Sequence, residues 1–165
     1  MWPKPYESNT HGKEEAQQMN AHLEEIIAKI EGVIAKLGVN PKQAEIAHEN
    51  AIKAYALRRG SAHVLIWLRG DAEEKGHLHV FAPCAKLVDS PPSEVYRFLL
   101  EANLHATQGA AFALYQNQIV VVAQRSTEDL DPSEIEAMVR TVGRLADKYD
   151  DLLAERFGLK RASDT

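Results

Sequence analysis

The sequence predicts an α+β fold: three helices packed on a largely antiparallel five-stranded sheet, in the order α-β-β-β-α-β-β-α. Three observations predict it. Apolar residues recur in steps of three and four at both ends of the chain and once in the middle. Between these stretches the period drops to two. The period-two runs meet at short turns, Arg59-Gly60 and Gln116-Asn117, which make hairpins and therefore antiparallel pairs. The 165 residues are read as one domain over 13–160, with a flexible N-terminal tail over 1–12 and a C-terminal tail over 161–165.

The first helix runs from Lys13 to Leu37. Leu23, Ile26, Ile30, Val33 and Leu37 form one stripe, flanked by Ile27 and Ile34, and Gly38 and then Pro41 stop it. "AIKAYALRRGSAHVLIWLRG" reads as two strands, and "HLHVFAP" as a third after the polar loop "DAEEKG". Ser90-Pro91-Pro92 opens the second helix, with Ser90 as its expected N-cap. That helix carries Val95, Tyr96, Phe98, Leu99, Leu100 and Leu104, and ends at Gln108-Gly109. "AAFALY" and "QIVVVAQ" pair across Gln116-Asn117, where asparagine tolerates the positive φ of a tight turn. Asp131-Pro132-Ser133-Glu134 starts the last helix with a capping box and a proline at the first helical position. Its stripe is Ile135, Met138, Val142, Leu145, Tyr149 and Leu152, supported by Val139, Ala146 and Leu153, and Gly158 closes it.

A formal charge of −5 with no basic run speaks against nucleic acid or an anionic membrane as partner. The longest apolar runs, "VLIWL" and "IVVVA", fall far short of the ~20 residues a membrane helix needs. Met1 to Thr10 lacks the basic-then-apolar order of a signal peptide, and Cys84, the single cysteine, allows no internal disulfide. The expected location is cytoplasmic.

Alternation sorts each hairpin into two faces. If the loop 70–76 closes symmetrically, Trp67 lies opposite His79 and Leu65 opposite Phe81. One face then holds Val64, Ile66, Leu68, Leu78, Val80 and Ala82, and calls for the helices. The other holds His63, Leu65, Trp67, Arg69, His77, His79 and Phe81. In the second hairpin, Phe112, Leu114, Ile119 and Val121 oppose Ala111, Ala113, Tyr115, Gln118, Val120, Val122 and Gln124. Leaving Leu65, Trp67, Phe81, Val120 and Val122 in water would forgo about 1.5–3 kcal/mol apiece. The mixed face therefore reads as a partner or dimer interface made by Leu65, Trp67, His79, Phe81, Tyr115, Val120 and Val122. The competing reading is that the first helix or the tail covers it within the monomer.

No catalytic, cofactor or metal site is expected. The seven histidines invite a metal, but His63 lies four residues from Trp67, roughly 13 Å along the strand, against Zn–N bonds near 2.1 Å. No nucleophile elbow, dinucleotide fingerprint, P-loop or zinc-protease motif is present. Asp147, Asp150, Asp151 and Glu155 are read as i, i+4 partners of Arg144, Lys148 and Arg156, and Cys84 as an inert thiol.

The strand "HLHVFAP", the proline-marked helix start, "YRFLLEAN", the small-residue strand and hairpin, "LDPSEIEAM" and the last helix with "ADKYDDLL" come in an order that resembles the YbjN-like family over roughly residues 60–158. That family has the fold of class I type III secretion chaperones. The resemblance implies an α+β, type III secretion chaperone-like homodimer that binds proteins without catalysis. Secretion chaperones hold an extended effector segment against apolar patches, while YbjN-like members carry the label of sensory-transduction regulators, which specifies no mechanism. Many secretion chaperones are strongly acidic and this chain is only mildly so, which speaks against effector delivery. The expected function is a non-catalytic, cytoplasmic adaptor or chaperone-like regulator with a protein client. The alternatives are a ligand-sensing regulatory module and, last, an enzyme.

Overall fold

The computed structural model describes residues 10–70, 76–87 and 89–164, with the side chains of the first helix described from residue 17 onward. In chain order the elements are α1 (Thr10–Lys36), α2 (Pro41–Ala44), β1 (Glu45–Ile46), β2 (Lys53–Arg59), β3 (Ala62–Arg69), β4 (His77–Lys86), α3 (Ser93–His105), β5 (Ala111–Tyr115), β6 (Gln118–Ser126), α4 (Pro132–Phe157) and β7 (Lys160–Arg161). The α+β class and the antiparallel sheet are as expected, and the three expected helices are α1, α3 and α4.

The departures are short elements at the periphery. Pro41 both ends α1 and starts the single turn α2, because proline suits a first helical position and Asn40 caps it by accepting from the Lys42 amide at 3.0 Å. β1 adds two residues to the free side of β2. β7 pairs with Ala85–Lys86, so the expected C-terminal tail begins inside a strand. The expected N-terminal tail falls mostly outside the described residues, and its last three residues, 10–12, are already helical.

The sheet order is β1-β2-β3-β4-β6-β5, with β7 beside the far end of β4. Its registers are those of the symmetric closure: Leu65 faces Phe81, Trp67 faces His79, and Ala113 faces Val120. Pro83 stands in a central strand because β4 shifts register between Pro83 and Ala85, and a bulge tolerates a residue with no N–H to give the ladder. The β5–β6 turn has positive φ at Gln116 (45°) and Asn117 (62°), as its two-residue length requires.

On the inner face Val64, Ile66, Leu68, Leu78, Val80 and Ala82 are wholly buried. They join one core with Leu23, Ile26, Ile30, Val33 and Ile34 of α1 and Ile135, Val139, Val142, Leu145 and Leu153 of α4. α4 packs on β3 and β4, and α1 packs on α4. Gly143 sets the approach of α4, since a Cβ there would sit 3.0 Å from the Arg59 Cβ and 3.3 Å from a Val64 methyl. At its ends α4 has the expected capping box of Asp131 and Glu134 and the left-handed Gly158.

α3 starts later than expected. Its N-cap is Pro92 (φ −57°, ψ 138°) and no side chain caps it. The residue before a proline is driven to extended backbone, so Ser90 and Pro91 cannot enter a helix. The acids of α4 also depart from i, i+4 pairing. Asp147 Oδ1 accepts from the Ser61 amide (2.7 Å) and hydroxyl (2.8 Å), and Asp150 lies 2.7 Å from the same hydroxyl. Asp151 pairs with Arg161 of β7. These acids pin the β2–β3 turn and the C-terminal strand to α4.

Candidate protein-binding face

Alternation along β3, β4, β5 and β6 delivers every residue of the expected interface to the sheet face turned away from α1 and α4. What the strands bring together there is a row of stacked rings. Trp67 on β3 lies between two imidazoles, His48 at 5.0 Å and 14° and His79 at 5.4 Å and 11°. Phe81 follows at 5.5 Å from Trp67, and Tyr115 meets Phe81 edge-on at 5.4 Å and 84°. Cross-strand neighbours stand about 4.5–5.5 Å apart, so rings at paired positions stack without distortion. Around them His48, Trp67, His79, Phe81, Tyr115 and Val122 border a shallow groove of about 310 Å³.

The face is half covered by its own residues. Val120, in register with both Pro83 and Ala113, is wholly buried, and Phe81 is only 7 % exposed between its ring neighbours. Leu65, Trp67, His79 and Val122 remain half-buried and Tyr115 is exposed. The first helix does not supply the cover, because its apolar stripe is spent on the inner core. The tail over 1–9 lies outside the described residues.

Burial, with the nearby charges of His77 and Arg69 adding to it, lowers the His79 pKa below the ordinary histidine value, so the ring is neutral at pH 7. A neutral imidazole stacks on indole without carrying a charge into the groove. His48 gave no signal in the sequence. It stands in the irregular segment between β1 and β2, where neither period applies, and only the folded chain places it against Trp67.

A second apolar surface lies open between α3 and the edge of the sheet. Tyr96, Leu99, Leu100, Asn103, Phe112 and Leu114 line a groove of about 300 Å³ between α3 and β5. Leu100 and Leu114 of this groove are 69 % and 55 % exposed and Leu104, also on α3, is 78 % exposed, so Leu114 lies open although it shares a strand face with buried Phe112. β5 is the last strand of the sheet, so its outer edge is unpaired among the described residues.

Among the described residues neither groove is lined by a cysteine or a carboxylate. Burial, followed by the charge of Asp150, drives the Cys84 thiol far above its usual range, and it donates to the Ala146 carbonyl at 3.6 Å. Among the described residues no group of three His, Cys, Asp or Glu side chains could hold a metal ion.

The comparisons with known proteins agree with this architecture. A family model described as "Putative bacterial sensory transduction regulator", YbjN, matches residues 27–155. The chain belongs to the YbjN family. The match takes in the last third of α1, so membership extends upstream of residue 60, where the resemblance in the sequence begins. No curated protein matches the sequence. Among solved structures, a chain of the ExsC–ExsE complex superposes with a TM-score of 0.57 at 15 % identity, over 79 % of this YbjN-family chain and 94 % of that one. A chain of the HopA1–SchA chaperone–effector complex gives 0.54 at 11 %, over 76 % and 93 %. A chain of the complex between the Yersinia pestis type III secretion chaperone SycH and a stable YscM2 fragment gives 0.51 at 17 %, over 74 % and 97 %. At these identities the likeness establishes the fold. No helix among the described residues is long and apolar enough to cross a membrane.

Proposed function

We propose that this YbjN-family protein is a non-catalytic, cytoplasmic, homodimeric adaptor that holds a segment of a protein client on the outer sheet face. The observation that carries this reading is the ring row His48–Trp67–His79 with Phe81 and Tyr115, an aromatic, half-buried groove on the face that α1 and α4 leave open. Aromatic side chains supply large, rigid contact area and concentrate binding energy at such sites. The solved structures of like fold include a chaperone with its effector and a chaperone with a protein fragment, which supports a polypeptide client.

The dimer contact we assign to the α3–β5 edge. Its exposed leucines and the open edge of β5 offer an isologous surface in which a strand and a helix can meet their own copies. Light scattering coupled to size exclusion, at micromolar concentration, should give twice the chain mass. Leu104→Asp should give the monomer mass while the chain stays folded, because Leu104 is mostly exposed and its loss costs only the stabilisation that dimerisation supplies. A monomeric parent protein would remove the dimer from the proposal.

The client is tested by tagging the protein in its native host and identifying what co-purifies in stoichiometric amount. A defined protein retained by the parent and absent with Trp67→Ala is expected. A small molecule recovered in place of a protein would favour the ligand-sensing alternative.

A further inference from the structure

The chain is acidic overall, yet four of its nine arginines border one cavity. Arg58 and Arg59 come from the end of β2, and Arg140 and Arg144 from successive turns of α4. Gly60 and Gly143 form part of the wall, and the volume is about 660 Å³. We propose that this cavity binds a small molecule carrying two or more linked phosphate groups. The site lies on the helix side of the sheet, apart from the ring row, and stands or falls independently of the client-binding proposal.

The ligand class follows from the lining. Guanidinium forks match phosphate oxygens in pairs and keep their charge at any physiological pH, so several around one concavity select for clustered negative charge. The volume lies within the ~300–1,000 Å³ typical of small-molecule sites. Among the described residues no aromatic ring lines the cavity, so the phosphates would carry recognition.

Among the described residues Arg58, Arg59 and Arg144 form no ion pair, whereas Arg140 shares its charge with Glu136. Arg144 donates to the Gln108 side chain at 3.1 Å, and the Arg58 Nε reaches the Gly60 carbonyl at 3.4 Å. Arg140 is paired with Glu136 at 2.8 Å, and Glu136 is shared with Lys36 at 2.5 Å. Asp147 is the single carboxylate in the lining among the described residues. It is engaged by the Ser61 amide and hydroxyl, which hold its pKa below the usual carboxylate range and fix it on the turn. That arrangement is built by the close approach at Gly143, where the Arg59 stem crosses α4.

The test is calorimetric titration of the full chain with sodium pyrophosphate, with ATP and with a poly-glutamate peptide. Saturable one-to-one binding of either phosphate probe is expected, weakening as salt rises. Arg59→Gln and Arg144→Gln should each weaken it tenfold or more, and Arg144→Lys, which keeps charge but loses the fork, should fall between. Arg97→Gln, on the exposed side of α3, should change nothing. Glutamine retains the Cβ and Cγ that pack on Gly143, and exposed Arg58→Gln replaces Arg59→Gln should the latter fail to fold. The proposal is overturned by no saturable binding of either phosphate probe at millimolar concentration. It is equally overturned by phosphate binding that survives the arginine variants, or by binding of poly-glutamate alone, which would make the cavity a groove for acidic peptide.

Discussion

The two faces of the sheet are drawn from alternate residues of the same strands, yet they are built to different rules. The inner face is aliphatic and sealed: from Val64 to Ala82 its side chains are wholly buried beneath α1 and α4. The outer face is aromatic and polar, and it buries part of itself by stacking ring on ring. The inner surface gains its free energy from water exclusion on folding. The outer surface is stiffened by ring contacts while keeping area in reserve. The comparison teaches that two-sided apolar strands need not mean two layers of helix; a face can bury part of itself by cross-strand stacking.

The largest effect should come from the inner side. Leu145→Ala removes a buried side chain where α4 meets the core and should cost about 2–5 kcal/mol, read as the shift in a denaturant midpoint. An unmoved midpoint would contradict the assignment of the last helix to the core. Trp67→Ala should cost less. It removes two stacked imidazole contacts and one tilted ring contact, each of the order of 0.5–1.5 kcal/mol at most. Because Trp67 is only partly buried, its total loss should remain below that of Leu145→Ala in the same assay. A larger loss would mean that the outer face is structural in the same sense as the inner one.

The smallest effect is acidic destabilisation of the ring row. The His79 pKa is lowered by folding, so the unfolded chain takes up its proton first as pH falls. The contribution of His79 is complete above the ordinary histidine value of about 6.5 and is lost as pH drops below it. The parent should therefore lose more thermal stability than His79→Gln between about pH 7 and pH 5. Equal losses would show that the imidazole's neutral state does not matter to the face.

Much of this was legible because it depends on short-range rules. Alternation and a symmetric loop were enough to place Trp67 against His79. Capping chemistry was enough to start α4 at Asp131 and end it at Gly158. The open parts depend on contacts far apart in sequence. Val95, Leu99 and Ala102 point inward from α3, whereas Leu100 and Leu104 point out, and a helix apolar on several sides does not declare which side is covered. Asp147 and Asp150 read as helix-surface charges until the turn at Ser61, some ninety positions upstream, arrives beside them. The four-arginine cavity is invisible in the same way, because β2 and α4 supply two arginines each from opposite halves of the chain.

The central claim is that the outer face serves association and the inner face serves folding. The most direct measurement takes one preparation of Trp67→Ala from the native host and reads both its thermal midpoint and its retained partner protein. The account predicts a midpoint lowered by only a few degrees, an intact dimer mass, and loss of the partner that the parent retains. A variant that keeps its partner at full yield, or that loses it only by unfolding, would contradict the account.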